Sequence, residues 1–137
     1  KGYLLDEFSK KNINSYGVDI SNYAISKNRK MRRKFVKVLN VEKGIPYNES
    51  FFDLVISKDT LPLIKKSKIK GLIKEINRVV KNEKNVFLQI QGVSHKKRAY
   101  LMNKWDPTHH LCLTSKEWLR KLKSYGYQGL IEIKYLF

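Results

Sequence analysis

Asp19 closes the short run SYGVDI, immediately ahead of the run SNYAISKNRK. An acid at the end of a strand-like run has three uses: it can serve the N-terminus of the next helix, stay in solvent, or hold the ribose of a nucleotide. Two carboxylate oxygens can accept from two neighbouring hydroxyls at once, so a ribose diol calls for an acid. Asp19 follows Gly2 by 17 positions, close to the roughly 20-residue interval between a phosphate-loop glycine and a ribose-binding acid.

A second group stands in MNKWDPTHHLCLTS, where an aromatic, an acid and two adjacent histidines fall together as Trp105, Asp106, His109 and His110. Histidine titrates near neutral pH and suits general-base work. If HHLCL is strand-like, the two rings point to opposite faces and at most one enters a pocket. Adjacent histidines with one nearby acid are a loose ligand set, so no metal is assigned, and ordinary loop residues remain an open reading of the pair. Cys112 has no second cysteine to pair with and is expected to be a buried, inert thiol.

The elements that must position these groups follow from periodicity. YLLDEFSKKN has helical spacing at Tyr3, Leu4, Leu5 and Phe8, the pattern of a helix buried on one side. SYGVDI reads as a strand, and Ser21 as the N-cap of a helix from about Asn22 to Arg33. KFVKVLNV alternates as a strand does, EKGIPYNES supplies a loop, and FFDLVIS, Phe51 to Ser57, reads as a strand covered on both faces. Ile69, Leu72, Ile73, Ile76 and Val79 form one stripe of a helix over roughly Ser67 to Val80, and NVFLQIQ is a further buried strand. This alternation predicts an α/β fold, an open, mostly parallel sheet with helices on both faces. Ligands of such sheets bind at the carboxyl ends of the strands.

The 137 residues suffice for one domain with a sizeable core, and hydrophobic content of 42% argues against disorder. No apolar run approaches the roughly 20 residues of a membrane span and no signal-peptide pattern opens the chain, so a soluble, cytoplasmic protein is expected. The net charge of +17 suits a polyanionic partner. Spread over the whole chain as lysine, it equally fits a compositional bias that fills exposed faces. The densest patch, Lys27 to Lys37, is the one segment that could be a dedicated nucleic-acid surface, although its only aromatic is Phe35.

In order along the chain, five segments resemble those of the class I S-adenosylmethionine-dependent methyltransferases, in particular their small methyltransferase-domain type. KGYLL is similar to the tail of the glycine-rich first motif, and YGVDIS to the second strand with its acidic end. VLNVEKGIPYNESFFDLVISKDTLPLI resembles the third strand, loop and fourth strand. LIKEINRVVKNEKNVFLQI resembles the helix, turn and fifth strand, and LTSKEWLRKLKSYGYQ the late helix. The resemblance implies a Rossmann-like fold and an S-adenosylmethionine cofactor. It places Gly2 at the methionine part, Asp19 on the ribose hydroxyls, Ile20 and Val41 against the adenine, Asn40 at its amino group, and Ser57 and Lys58 along the cofactor floor. His109, His110 and Asp106 would lie in the acceptor segment, with Asp59 directed at the donor's amino group or at the acceptor. Asp53 and Trp118 are read as structural.

Departures from the family pattern are Asn40 in place of an acid, Leu63 where many relatives have histidine, and Asn82 and Asn85 in the turn. The first strand and first glycines are also lacking, so the chain is expected to be one partial domain, a piece of a longer protein that binds the cofactor poorly on its own. Its cofactor half would be about residues 1–90, and its acceptor and C-terminal part about 91–137, stopping short of a final antiparallel strand. The expected function is methyl transfer to a small-molecule acceptor. RNA methylation or nucleic-acid binding is the alternative, followed by a nicotinamide-dependent oxidoreductase.

Overall fold

A computed structural model describes residues 2–27 and 35–135. The chain divides into two compact units, Lys1–Lys43 and Gly44–Phe137. All strand ladders among the described residues are parallel, in one sheet of two strands and one of three.

The first unit holds helix α1 (Tyr3–Lys10), strand β1 (Gly17–Asp19), helix α2 (Asn22–Ser26) and strand β2 (Val36–Val38). Gly2 caps α1 at φ 80, a left-handed geometry that glycine adopts without strain. Helix α1 forms where the apolar spacing places it, but Leu5 and Phe8 are only half-buried and Tyr3 is 71% exposed, so the expected buried side is a half-buried one. Ser21 caps α2 as its sequence position predicts, its hydroxyl accepting from the Ala24 N–H at 3.1 Å. The remainder of the expected helix to Arg33 lies outside the described residues, as does most of the Lys27 to Lys37 patch. Strand β1 pairs with β2 so that Asp19 stands opposite Val38, and the Asp19 carbonyl accepts from the Leu39 N–H at 2.9 Å.

In the second unit strand β3 (Val55–Lys58), helix α3 (Ile69–Val79), strand β4 (Val86–Gly92), helices α4 (Ala99–Trp105) and α5 (Ser115–Ser124), and strand β5 (Leu130–Tyr135) follow in order. The sheet order is β3-β4-β5. Both crossovers step in the same direction across the sheet, and right-handed connections therefore place α3 and α5 on the same face. Leu88, Ile90 and Ile133 point to that face, and a side chain added at Gly92 would meet Ile133 and Trp118 there. Trp118 and Leu122 of α5 are completely buried, as are Ile69 and Ile73 of α3. Core packing is thus the role of Trp118.

The stretch from Phe51 behaves differently from the continuous strand expected of it. Only Val55–Lys58 pairs as a strand, and Leu54 is 52% exposed. Phe51 and Phe52 instead pack on Tyr47, Phe51 stacked at a centroid distance of 5.4 Å and Phe52 edge-on at 4.9 Å, with 4.8 Å between the two. The loop that carries them is gripped from α3. Arg78 donates to the carbonyls of Tyr47 and Ile45, both at 2.9 Å, and its Nε lies 2.8 Å from a Glu75 oxygen. The other Glu75 oxygen accepts from the Ile45 N–H at 3.0 Å. Helix α4 has no counterpart among the expected elements. No described helix is long and apolar enough to cross a membrane.

Candidate functional site

In the first unit a small concavity of about 90 Å³ opens between α1, β1 and α2. Gly2 and Asp19 both line it, together with Gly17, Ala24, Ile25 and Val36. Gly17 keeps the walls close: a Cβ there would approach Leu5 Cδ1 to 2.9 Å, so a side chain would require the tip of Leu5 to move. Asp19 is exposed, and its Oδ1 accepts from the Ser21 N–H at 2.8 Å. One oxygen therefore braces the entry to α2, while the other has no partner among the described residues. A carboxylate used in this way retains the lone pairs to receive a pair of hydroxyls.

The other cofactor candidates of this unit sit close to β1 and β2. Ile20 follows Asp19 and is 68% exposed. Asn40 is half-buried, and its side-chain oxygen accepts from the Glu42 N–H at 3.0 Å, a local turn that begins the 3₁₀ segment Val41–Lys43. Val41 is half-buried within that segment.

In the second unit the sheet register separates Ser57 from Lys58. Ser57 pairs with Leu88 and faces the helix-covered side, whereas Lys58 pairs with Gln89 and faces the opposite side. Asp59 then leaves the strand at φ 53, a left-handed geometry that is uncommon outside glycine, asparagine and aspartate. Its N–H donates to the Gln89 carbonyl at 2.9 Å, while its Oδ1 is buried without a hydrogen-bond partner.

The loop that carries both histidines folds against the carboxyl end of β4. His109 is buried, with Nε2 2.7 Å from Gln91 Oε1 and Nδ1 3.2 Å from both the carbonyl oxygen and Oδ2 of Asp106. Asp106 in turn accepts from the N–H and the hydroxyl of Thr108, and these bonds hold its carboxyl below the usual range. His110 is exposed and anchors its segment through its N–H to the Pro62 carbonyl at 2.8 Å. The residues 109–113 form no strand, and of the two histidines only His109 is buried. Cys112 is half-buried, and its thiol donates to Asn103 Oδ1 at 3.0 Å. Burial pushes that thiol up and keeps it protonated.

Gln91, and Gln89 two positions before it, complete this face of β4 and were not singled out from the sequence. Gln89 donates to a Glu132 oxygen at 2.5 Å on β5. The visible signal was the pair of amides at period two in QIQ, inside an otherwise apolar strand. Among the described residues no group of three or more His, Cys, Asp or Glu side chains is placed to hold a metal ion.

These features fit part of a cofactor site. The left-handed Gly2, the half-engaged Asp19 and the cleft they share suit the ribose end of a nucleoside, although about 90 Å³ is far below the roughly 300–1,000 Å³ of a complete ligand pocket. No curated protein and no solved structure matches the chain. A family model described as a methyltransferase domain matches residues 1–88, which span α1 to the middle of β4. With more than half of its length matched, and with parallel strands and helices in the matching order, the chain belongs to the class I S-adenosylmethionine-dependent methyltransferase domain family.

Proposed function

We propose that this protein binds S-adenosylmethionine through Gly2 and Asp19 and transfers the methyl group to a small-molecule acceptor. The observation that carries the reading is that Gly2 and Asp19, far apart in sequence, line one cleft at the end of β1. Asp19 would receive the two ribose hydroxyls, Gly2 would let the backbone approach the methionine part, and Ile20, Asn40 and Val41 would meet the adenine. Ser57 and Lys58 would stand along the cofactor floor, with only Lys58 on the face that β4 shares with Gln89.

The sulfonium of this cofactor carries its own leaving group, so the chain's residues need only align the acceptor and, where the acceptor must lose a proton, take it. Of the four acceptor-side candidates, His109 and Asp106 have their polar atoms engaged with Gln91, Thr108 and each other. Their role in this reading is to position the segment. Asp59 and His110 keep open functional atoms and are assigned to the acceptor or to the donor's amino group. A cytoplasmic location goes with this reading.

Methylation of RNA is the second reading, favoured by the net charge of +17. It requires binding to single-stranded RNA that falls steeply with salt.

Calorimetric titration of S-adenosylhomocysteine into the full-length protein and its Asp19→Ala variant tests the first. Loss of charge-assisted hydrogen bonds to the ribose should weaken binding by about 10- to 100-fold. Equal affinity in the variant overturns the role of Asp19, and absence of binding by the folded protein overturns the cofactor.

A further inference from the structure

A second concavity, of about 400 Å³, lies wholly within the second unit and contains none of the residues assigned above to cofactor or acceptor. Its floor is apolar, made by the buried Leu111 and the half-buried Leu113. The Leu111 N–H bonds to the Pro62 carbonyl at 3.1 Å, which fixes that floor to the turn after β3. Its rim carries three cations, Lys66 from the stretch before α3 and Arg120 and Lys121 from α5.

The single carboxylate in the lining, Glu117, does not neutralise them. One of its oxygens accepts from the N–H and the hydroxyl of Thr114, both at 2.9 Å, and the other pairs with Lys96 at 3.1 Å. Lys66 and Arg120 have no acidic partner among the described residues, and Lys121 lies 5.6 Å over the Tyr125 ring. Cations held around an apolar hollow are complementary to a molecule with an acidic head and an apolar body. The head would engage the planar fork of Arg120 and the two ammonium groups, while the body would cover Leu111 and Leu113. The volume matches the lower end of small-ligand pockets, roughly 300–1,000 Å³, and is too small for more than a short stretch of polynucleotide.

We propose that this hollow is a binding site for a small amphipathic organic anion, a phosphate or carboxylate on an apolar body. The site is separate from the methyl-transfer reading and stands or falls without it.

The test is calorimetric titration of the chain with octyl phosphate, beside octanoate, inorganic phosphate, octanol and a single-stranded RNA oligonucleotide. Saturable one-to-one binding of octyl phosphate is expected, with octanoate ranking the two head groups and inorganic phosphate and octanol at least about tenfold weaker. Replacing the exposed Lys66 and Arg120 together by glutamine should weaken octyl phosphate by about tenfold or more, with thermal unfolding unchanged. Leu113→Ala should weaken it by roughly fivefold while leaving inorganic phosphate unaffected. Inorganic phosphate binding as tightly as octyl phosphate, an oligonucleotide captured through the same residues in preference to both amphiphiles, or octyl phosphate insensitive to these variants would each overturn the proposal.

Discussion

Nε2 of His109 lies 2.7 Å from Oε1 of Gln91, so a loop residue between α4 and α5 is tied by its ring to the central strand of the sheet. The contact joins residues 18 positions apart and is buried on the histidine side. It makes His109 a fastening between that loop and β4, and leaves His110 as the exposed member of the pair.

Replacing His109 by alanine therefore removes buried packing and strands the Gln91 amide, at a cost of about 1–3 kcal/mol. His110→Ala should leave the melting temperature within experimental error. Thermal unfolding of both variants checks this, and the ordering would be reversed if the exposed ring were the structural one.

Gly129 and Tyr127 form the corner that admits β5 to the sheet. The Tyr127 hydroxyl lies 2.7 and 3.0 Å from the carbonyl oxygens of Leu130 and Val86, which share its one proton, and a Cβ at Gly129 would collide with the Val86 carbonyl and the Tyr127 hydroxyl. Gly129→Ala should destabilise the protein by about 1–3 kcal/mol or more, since neither neighbour can yield without breaking these bonds. Denaturant unfolding that moved by less than about 0.5 kcal/mol would contradict this corner.

The grip of α3 on the loop before β3 depends on the fork of Arg78. A lysine keeps the charge but cannot serve Glu75, Ile45 and Tyr47 at once. Arg78→Lys should cost about 1–2 kcal/mol and raise hydrogen exchange at Ile45, whose N–H bonds to Glu75. Exchange at Ile45 identical to that of the parent would mean that Glu75 holds the loop unaided.

Stability should also fall in acid through two glutamates. Hydrogen bonds from Arg78 and the Ile45 backbone depress Glu75 from 4.5 to about 2, and those from Thr114 do the same for Glu117. Because the folded values are the lower ones, the stabilisation is complete above about pH 4.5 and is lost as pH drops from there through about 2. Thr114→Ala removes the hydroxyl from the capping box at the start of α5, should cost about 1 kcal/mol at neutral pH, and should reduce only part of the acid limb of a stability profile measured by urea titration, since the N–H of residue 114 still reaches Glu117 and Glu75 is untouched. An acid limb unchanged in this variant would mean that the Thr114 hydroxyl adds nothing to the low value of Glu117.

The parts of this fold that were legible in the sequence are those with an unambiguous period. The stripe from Ile69 to Val79 recovered α3 within two residues at its start and one at its end, because all five of its apolar positions face the same core. NVFLQIQ recovered β4 because a strand with neighbours on both sides excludes water along its length. FFDLVIS was over-extended for the opposite reason: Phe51 and Phe52 are apolar to satisfy a stack with Tyr47, which has no period. Helix α4 is short and buries only Met102, too little for a stripe to show. The position of Asp19 at a strand end was legible, whereas the contact of Gln91 was not, since its partner is brought to it only by the folding back of a loop.

Strand β4 is paired along both edges, to β3 from Val86 to Gln89 and to β5 from Phe87 to Gly92. Leu88 lies within both ladders and Ile90 within the ladder to β5, and both side chains are completely buried. No local fraying reaches them, so their exchange with solvent deuterium proceeds only when the whole second unit opens. The three-residue ladder between β1 and β2 has no such enclosure, and Asp19, Lys37 and Val38 within it are exposed. Deuterium uptake should therefore be early around Asp19 and last at the centre of β4, which makes β4 the internal reference against which protection of Asp19 by an added nucleoside can be read.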